Sequence, residues 1–261
     1  MNISLPISRR DVIEARLAEG RQIIAASLAA EFNVSEDAVR RDLRALAAEG
    51  KCRRVYGGAL PLLTPSQPIS ARIGQASDRK RALAQAAANM IEPGEFVFLD
   101  SGSTNLAMAD LLPKNSKLTV ATNSIDIASV LMNRGDFELI MIGGAVNAIV
   151  GGSVDATAVA AIENMNIDRC FVGACAISAT NGISVHEHAD AIFKRTLIKR
   201  SAARIAIATS EKFHERASHR IGGAADIDWL IVEDDLPDDD EEAAVRAGFV
   251  LVKPNDITTS S

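Results

Sequence analysis

The sequence predicts two folded units: a small helical unit closed by a short hairpin, then a larger α/β unit, a mostly parallel sheet with helices on both faces. Three observations predict it. In the first 60 residues apolar positions recur at helical spacing and then give way to a basic, glycine-ended stretch. From Asp78 onward short apolar runs alternate with helical patterns, as in strands joined by crossover helices. Between them LPLLTPSQPISARIGQ carries Pro61, Pro65 and Pro68 and reads as a linker that neither helix nor strand crosses. The expected boundaries are 1–59, a linker at 60–75, and 76–261.

Composition bounds the function classes. At 261 residues and 48% hydrophobic content the chain can bury one substantial core and a small second one. No apolar run approaches the roughly 18 residues that span a bilayer. The stretch MNISLPISRRDVIEA lacks the apolar centre of a signal peptide, so the expected location is the cytoplasm, with no membrane partner. Cys52, Cys170 and Cys175 are odd in number and form no C-x-x-C pair, which suggests reduced packing residues rather than a disulfide framework or a metal site. The net charge is -6, yet residues 1–60 hold 10 Lys+Arg against 8 Asp+Glu while the remainder holds 18 against 26. Positive charge is gathered at the front, and a local patch sets the field that a phosphate backbone feels.

The front elements follow in order. Val12, Ile13 and Leu17 predict a helix over Arg9–Glu19 closed by Gly20, and a second helical pattern covers Ile24–Phe32. Asn33 and Val34 make a tight turn. Ser35 is placed as an N-cap, Glu36 and Asp37 complement the dipole of the first turn, and Gly50 belongs at a C-terminal cap, so a third helix spans Glu36–Glu49. At 100° per residue Val39, Leu43, Leu46 and Ala47 share one face and Arg40, Arg41 and Arg44 the opposite one. Then KCRRVYGGA places Lys51, Arg53 and Arg54 before Tyr56 and a Gly57–Gly58 turn, a basic hairpin or wing. Two helices joined by a short turn, the second presenting arginines, suit the DNA major groove. The bland alternative is a solvated helix face whose arginines pair with Asp37 and Asp42. Helix, turn, capped helix and basic wing together favour DNA.

In the larger unit strands are predicted at Phe96–Leu99, Leu118–Thr122, Leu139–Ile142, Cys170–Gly173, Ile205–Ala208, Leu230–Val232 and Phe249–Val252. Helices are predicted at Arg79–Met90, Thr104–Leu112, Ile125–Asn133, Ala156–Met165 and Ala189–Arg200. Ligands of such sheets lie beyond the carboxyl ends of the strands. There the chain reads Asp100-Ser101-Gly102-Ser103-Thr104 and Thr122-Asn123-Ser124, small hydroxyl residues and glycine whose backbone N–H groups can close on an anion; they are equally the residues of plain helix capping. The pairs Gly143-Gly144 and Gly151-Gly152 permit close backbone approach. Lys194 reads either as a ligand-facing cation or as a solvated residue. No Walker or strand-linked dinucleotide motif is present, so a phosphorylated small molecule fits better than a nucleotide. The acidic run Asp234–Glu242 reads as a solvated turn before a last helix and edge strand, and the tail Asn255–Ser261 as disordered.

VSEDAVRRDLRALAAEGKCRRVYGGA resembles the signature of the DeoR family of bacterial transcriptional regulators, a winged helix-turn-helix. FLDSGSTN, VATNS, MIGGAV, FVGACAIS, the Lys194-Arg195 pair and ATSEKF resemble successive blocks of that family's C-terminal domain, which is understood to sense sugar phosphates on a fold similar to ribose-phosphate isomerase. The resemblance implies DNA contacts from Ser35, Glu36, Asp37, Ala38, Arg40, Arg41, Arg44, Arg53, Arg54, Tyr56 and Gly57. It implies effector contacts from Asp100, Ser101, Gly102, Ser103, Thr104, Thr122, Asn123, Ser124, Gly143, Gly144, Gly152 and Lys194. Ala38 replaces the usual Thr, and Cys175 replaces a carboxylate.

A DNA-binding repressor that needs no cofactor is therefore expected, with operator DNA, a phosphorylated sugar and a second copy of itself as partners. The rival is a sugar-phosphate isomerase with a DNA-binding appendage, which needs a base; Asp100 is the acidic candidate, and Asp190 or Glu187 its possible helper. Cys175 in place of a carboxylate weakens it. His186-x-His188 is a weak metal hint that rests on strand-like alternation.

Overall fold

A computed structural model describes residues 8–18, 22–61 and 67–258, which divide into two compact units. The first contains α1 (Arg9–Ala18), β1 (Ile23–Ile24), α2 (Ala25–Glu31), α3 (Glu36–Ala48), β2 (Cys52–Val55) and β3 (Gly58–Pro61). Ile13, Leu17, Leu28, Val39, Leu43 and Leu46 form its core, so the apolar stripe of α3 is buried as its periodicity requires. Asn33 takes the left-handed conformation (φ 50°) between α2 and α3, and the Ser35 hydroxyl accepts the Ala38 N–H at 3.3 Å, capping α3. The expected stop at Gly20 lies outside the described residues.

The wing differs from expectation in two details. Its turn is Tyr56–Gly57, because Val55 pairs with Gly58, and Gly57 supplies the positive φ of 80°. Gly58 instead opens β3 against β1, where a Cβ would lie 1.8 Å from the Ile23 carbonyl oxygen. Only glycine lets the third strand approach, and β1 itself is too short to leave a pattern in sequence.

The second unit contains α4 (Ile69–Ile73), α5 (Ser77–Ala88), β4 (Phe96–Leu99), α6 (Ser103–Ala109), β5 (Thr119–Thr122), α7 (Ile125–Met132), β6 (Glu138–Met141), the hairpin β7 (Val146–Asn147) and β8 (Gly152–Ser153), and α8 (Ala156–Glu163). It continues with β9 (Ile167–Gly173), β10 (Ala176–Ser178), β11 (Gly182–Val185), α9 (His188–Lys199), β12 (Ser201–Ile207), β13 (His219–Gly222), β14 (Trp229–Ile231), α10 (Asp238–Arg246), β15 (Leu251–Val252) and α11 (Pro254–Thr258). Seven strands form a wholly parallel sheet in the order β15-β14-β12-β9-β4-β5-β6. Along β4, Val97 and Leu99 pack with α5, α6 and α7, whereas Phe98 points to the opposite layer with Phe193 and Leu197 of α9. Both faces are covered, as parallel sheets require.

Three expectations are corrected. The stretch 60–75 is not a plain linker: β3 runs to Pro61, and Ile69–Ile73 is helical with Pro68 at its N-cap, where a missing N–H costs nothing. The tail is helical to Thr258, with Pro254 first and the Lys253 N–H held by Asp256 at 3.0 Å, while 259–261 are outside the described residues. His188 opens α9 and meets the His219 ring edge-on at 5.1 Å, so the alternation behind the metal hint is absent. The antiparallel sheet β10-β11-β13 was not anticipated.

The chain runs β4, β5, β6 to one edge, then returns to place β9 on the other side of β4 and continues to β15. The order reverses between β4 and β9. A crevice opens at such a reversal, beyond the carboxyl ends of the strands.

Candidate functional site

On α3 the residues Val39, Leu43 and Leu46 are at most 1% exposed, which fixes the helix and leaves Arg40, Arg41 and Arg44 in solvent. Arg40 pairs with Glu36 and, at 3.4 Å, with Asp37. Among the described residues Arg41 reaches only the Asp37 carbonyl, at 3.4 Å, and Asp42 turns away to Arg9 at 2.6 Å. Arg44, Arg53 and Arg54 form no ion pair among the described residues, and Tyr56 stands fully exposed at the wing tip beside Gly57. The arginine face is thus mostly uncommitted. The surface pair that Arg40 makes is worth about 0–1 kcal/mol and is readily exchanged for a phosphate.

The crevice of the α/β unit is built on the opposite principle. Asp100, the residue after β4, is fully buried; its Oδ2 accepts the Gly173 N–H at 2.8 Å and the Lys194 ammonium. Lys194, 2% exposed on α9, also pairs with Asp190 one turn earlier at 3.0 Å. Asn105 of α6 ties β4 to β9 by donating to the carbonyls of Asp100 and Phe171, both at 2.8 Å. Asn123 accepts the Ser101 N–H at 2.9 Å and donates to the Ser153 carbonyl at 3.2 Å. Thr122 accepts the Ser124 N–H at 3.1 Å, and Ser124 caps α7. Gly152 closes the wall: a Cβ there would lie 2.6 Å from the Asn123 carbonyl and 3.0 Å from Ser101 Cβ.

Asp100, Ser101, Thr122, Asn123, Ser124, Gly152 and Lys194 are therefore brought to the carboxyl ends of β4 and β5, with Gly102, Ser103 and Thr104 half-buried beside them. Gly143 and Gly144 are exposed; Gly144 (φ 135°) is needed to pass Asp155, whose Oδ1 a Cβ would approach to 2.3 Å. Sequence reasoning missed Asn105 and Gly173, whose roles come only from the meeting of β4 and β9. Three polar atoms in this knot, Ser101 Oγ, Asp100 Oδ1 and Asp190 Oδ1, are buried without a hydrogen-bond partner among the described residues, although Asp190 Oδ1 lies 3.0 Å from the Lys194 ammonium as an ion pair. Such atoms cost about 1–3 kcal/mol each unless something satisfies them.

Charge within the knot is unbalanced: two carboxylates surround one ammonium. Burial pushes the Asp190 carboxyl up to about 6, against the pull of Lys194 and with help from Asp100. Burial also opposes the Lys194 charge, but Asp100 and Asp190 outweigh it and hold the ammonium above its ordinary range. The Cys175 thiol is raised by burial and then by Asp190. The arrangement holds Asp100 Oδ2 and the Lys194 ammonium in place and leaves Asp100 Oδ1 without a hydrogen bond among the described residues.

A core-packed helix with a winged arginine face, joined to an α/β unit with a polar switch-point crevice, defines a ligand-responsive transcriptional regulator. Residues 9–62 match the model of the DeoR-like helix-turn-helix domain, and residues 75–234 that of the DeoR C terminal sensor domain. The chain belongs to the DeoR family. It is 31% identical over 250 residues, 94% of this chain and 92% of the other, to a putative aga operon transcriptional repressor of Escherichia coli O157:H7. It is 30% identical to the glycerol-3-phosphate regulon repressor of Haemophilus influenzae, covering 79% of this chain and 81% of that one. Among solved structures, the sorbitol operon regulator of Klebsiella pneumoniae overlaps with a TM-score of 0.42 at 13% identity, covering 92% of this chain and 99% of that one. Ribose 5-phosphate isomerase A of Neisseria gonorrhoeae overlaps with 0.40 at 15%, covering 54% and 55%, a likeness too loose to bear on chemistry. Among the described residues no helix is long and apolar enough to cross a membrane.

Proposed function

We propose that this regulator is a repressor of a carbohydrate operon, and that a phosphorylated sugar bound in the β4–β9 crevice sets its affinity for operator DNA. The direct DNA contacts come from Arg40, Arg41 and Arg44 on α3 and from Arg53, Arg54 and Tyr56 on the wing; Ser35 holds α3 in register. Arg41 and Arg44 read base edges or phosphates. Paired half-sites call for at least a dimer of this cytoplasmic protein. The effector meets Ser101 and its neighbours Gly102, Ser103 and Thr104, with Asn123, Ser124, Gly152 and the Asp100–Lys194 knot as the wall behind them. Ser101 Oγ carries this reading: a buried hydroxyl with no hydrogen-bond partner among the described residues, at the point where open α/β sheets bind ligands.

The isomerase alternative needs Asp100 as a base, and its fully buried Oδ2 is held by Gly173 and Lys194. A base must reach the proton it removes. Gel-shift titration on DNA upstream of its own coding region, across a salt series with a panel of sugar phosphates, tests the proposal. One of them is expected to change operator affinity 5- to 150-fold, a coupling of about 1–3 kcal/mol. Operator binding indifferent to every sugar phosphate would reject the sensor reading.

A further inference from the structure

The crevice is proposed to take an anion, yet its lysine is spoken for. Lys194 sits between Asp100 and Asp190, leaving the knot with a net negative charge if both acids are ionised. An anion entering there needs a cation that is not already paired.

That cation is on α4, in the stretch that the sequence presents as linker. The Ile69 N–H donates to the Ile149 carbonyl at 3.1 Å, and the Ile69 side chain fills the space beside Gly151, where a Cβ would come within 2.5 Å of Ile69 Cγ2. The next residue, Gly152, is the one packed against Ser101. Two adjacent glycines thus fasten α4 to the wall of the crevice. Arg72, one turn along α4, donates from Nη2 to the Ile149 carbonyl at a long 3.4 Å, and its Nε is buried without any acceptor. It forms no ion pair among the described residues, although a guanidinium offers five N–H donors. Its charge is felt inside the knot, where it lowers the pKa of Asp190 and Cys175 against the larger, opposite effect of burial. Beside it Lys80, 9% exposed, donates to the Arg72 carbonyl at 2.6 Å and forms no ion pair among the described residues either. Burial, Lys212 and Arg72 lower the Lys80 pKa and outweigh the opposite pull of Glu211. A half-buried guanidinium beside a buried ammonium, neither in an ion pair among the described residues, is costly unless an anion joins them.

We propose that Arg72 binds the phosphate of the effector directly, with Lys80 fixing the end of α4 and adding positive potential. This rests on the reading of the crevice as an anion site and supplies the cation that reading lacks. A guanidinium suits the task because its planar fork takes two phosphate oxygens at once.

The test is thermal unfolding of the full chain in increasing inorganic phosphate, with chloride holding ionic strength constant, for wild type, Arg72→Gln, Arg72→Lys and Arg44→Gln. A ligand at free concentration L that binds only the folded state stabilises it by RT ln(1 + L/Kd), so the rise of the midpoint with concentration yields the dissociation constant. The expected result is a phosphate-dependent rise in wild type and Arg44→Gln, a fitted dissociation constant at least tenfold higher in Arg72→Gln, and an intermediate value in Arg72→Lys. If Arg72→Gln is less stable without phosphate, rescue by Arg72→Lys separates a lost ligand from a lost fold. A rise that Arg72→Gln retains overturns the role of Arg72 and leaves the crevice reading standing. A rise abolished by Arg44→Gln puts the anion on the DNA-reading unit and overturns the proposal. No rise in wild type overturns both the role of Arg72 and the anion site itself.

Discussion

The two units handle positive charge in opposite ways. On α3 the arginines stand in water over a buried apolar stripe, and Arg44 has no ionic partner among the described residues. In the α/β unit Lys194 is 2% exposed and bound by two carboxylates. Charge that must meet a large polyanion stays solvated, where releasing it costs little and counterion release drives association. Charge that shapes a small pocket is buried and tied down, where its removal is felt by the whole fold.

The largest effect expected from this contrast is on folding. Lys194→Met should lower the stability of the α/β unit at pH 7 by roughly 3–5 kcal/mol in urea unfolding, since two buried carboxylates lose their counter-charge. A loss below about 1 kcal/mol would mean the knot is not the anchor described. Arg41→Ala and Arg44→Ala should each weaken operator binding by about 1–3 kcal/mol, with the urea midpoint unchanged. Comparing specific and random duplexes sharpens this, because a base-reading arginine costs specificity and a phosphate-binding one costs both equally.

A smaller effect is expected from Asp190. Its folded value of about 6 lies above the ordinary 3.8, mainly because it is buried, so the folded chain holds the proton more tightly than the unfolded one. The stability this brings is complete below 3.8 and is lost as pH rises through 6. Between pH 5 and 7 wild type should therefore lose about 1 kcal/mol relative to Asp190→Asn. Parallel stability profiles for the two proteins would show that Asp190 does not titrate there. Smallest of all, Arg40→Ala should change stability by less than about 0.5 kcal/mol, as its pairs with Glu36 and Asp37 are exposed.

How much of this was legible in the sequence follows the range of the forces. β4 is legible to the residue, Phe96–Leu99, because a short continuous apolar run ended by Asp100 is a local signal. The capped start of α3 was legible for the same reason: Ser35, Glu36 and Asp37 are written next to the arginine face. β1 and the β10-β11-β13 sheet are not, since the two-residue β1 is held by β3 and β11 is completed by β13, Val185 pairing with His219. α4 was masked by the prolines around it, although Pro68 only marks where it starts. The crevice was half legible. Ser101, Asn123 and Gly152 stand out at strand ends, but Asn105 and Gly173 gain meaning only when β9 returns beside β4, and the pairing of Lys194 with Asp100 joins residues 94 positions apart.

The central claim is that the exposed arginines of α3 read DNA. It is tested most directly by selecting duplexes from a random pool with the full chain at physiological salt, then titrating the winner with wild type and the double variant Arg41→Ala/Arg44→Ala from 50 to 200 mM salt, across which a protein making several phosphate contacts loses orders of magnitude in affinity. The account predicts a shared motif, steep salt dependence for wild type and a shallower, weaker isotherm for the double variant. Recovery of no preferred sequence, or equal binding by the two proteins, would contradict it.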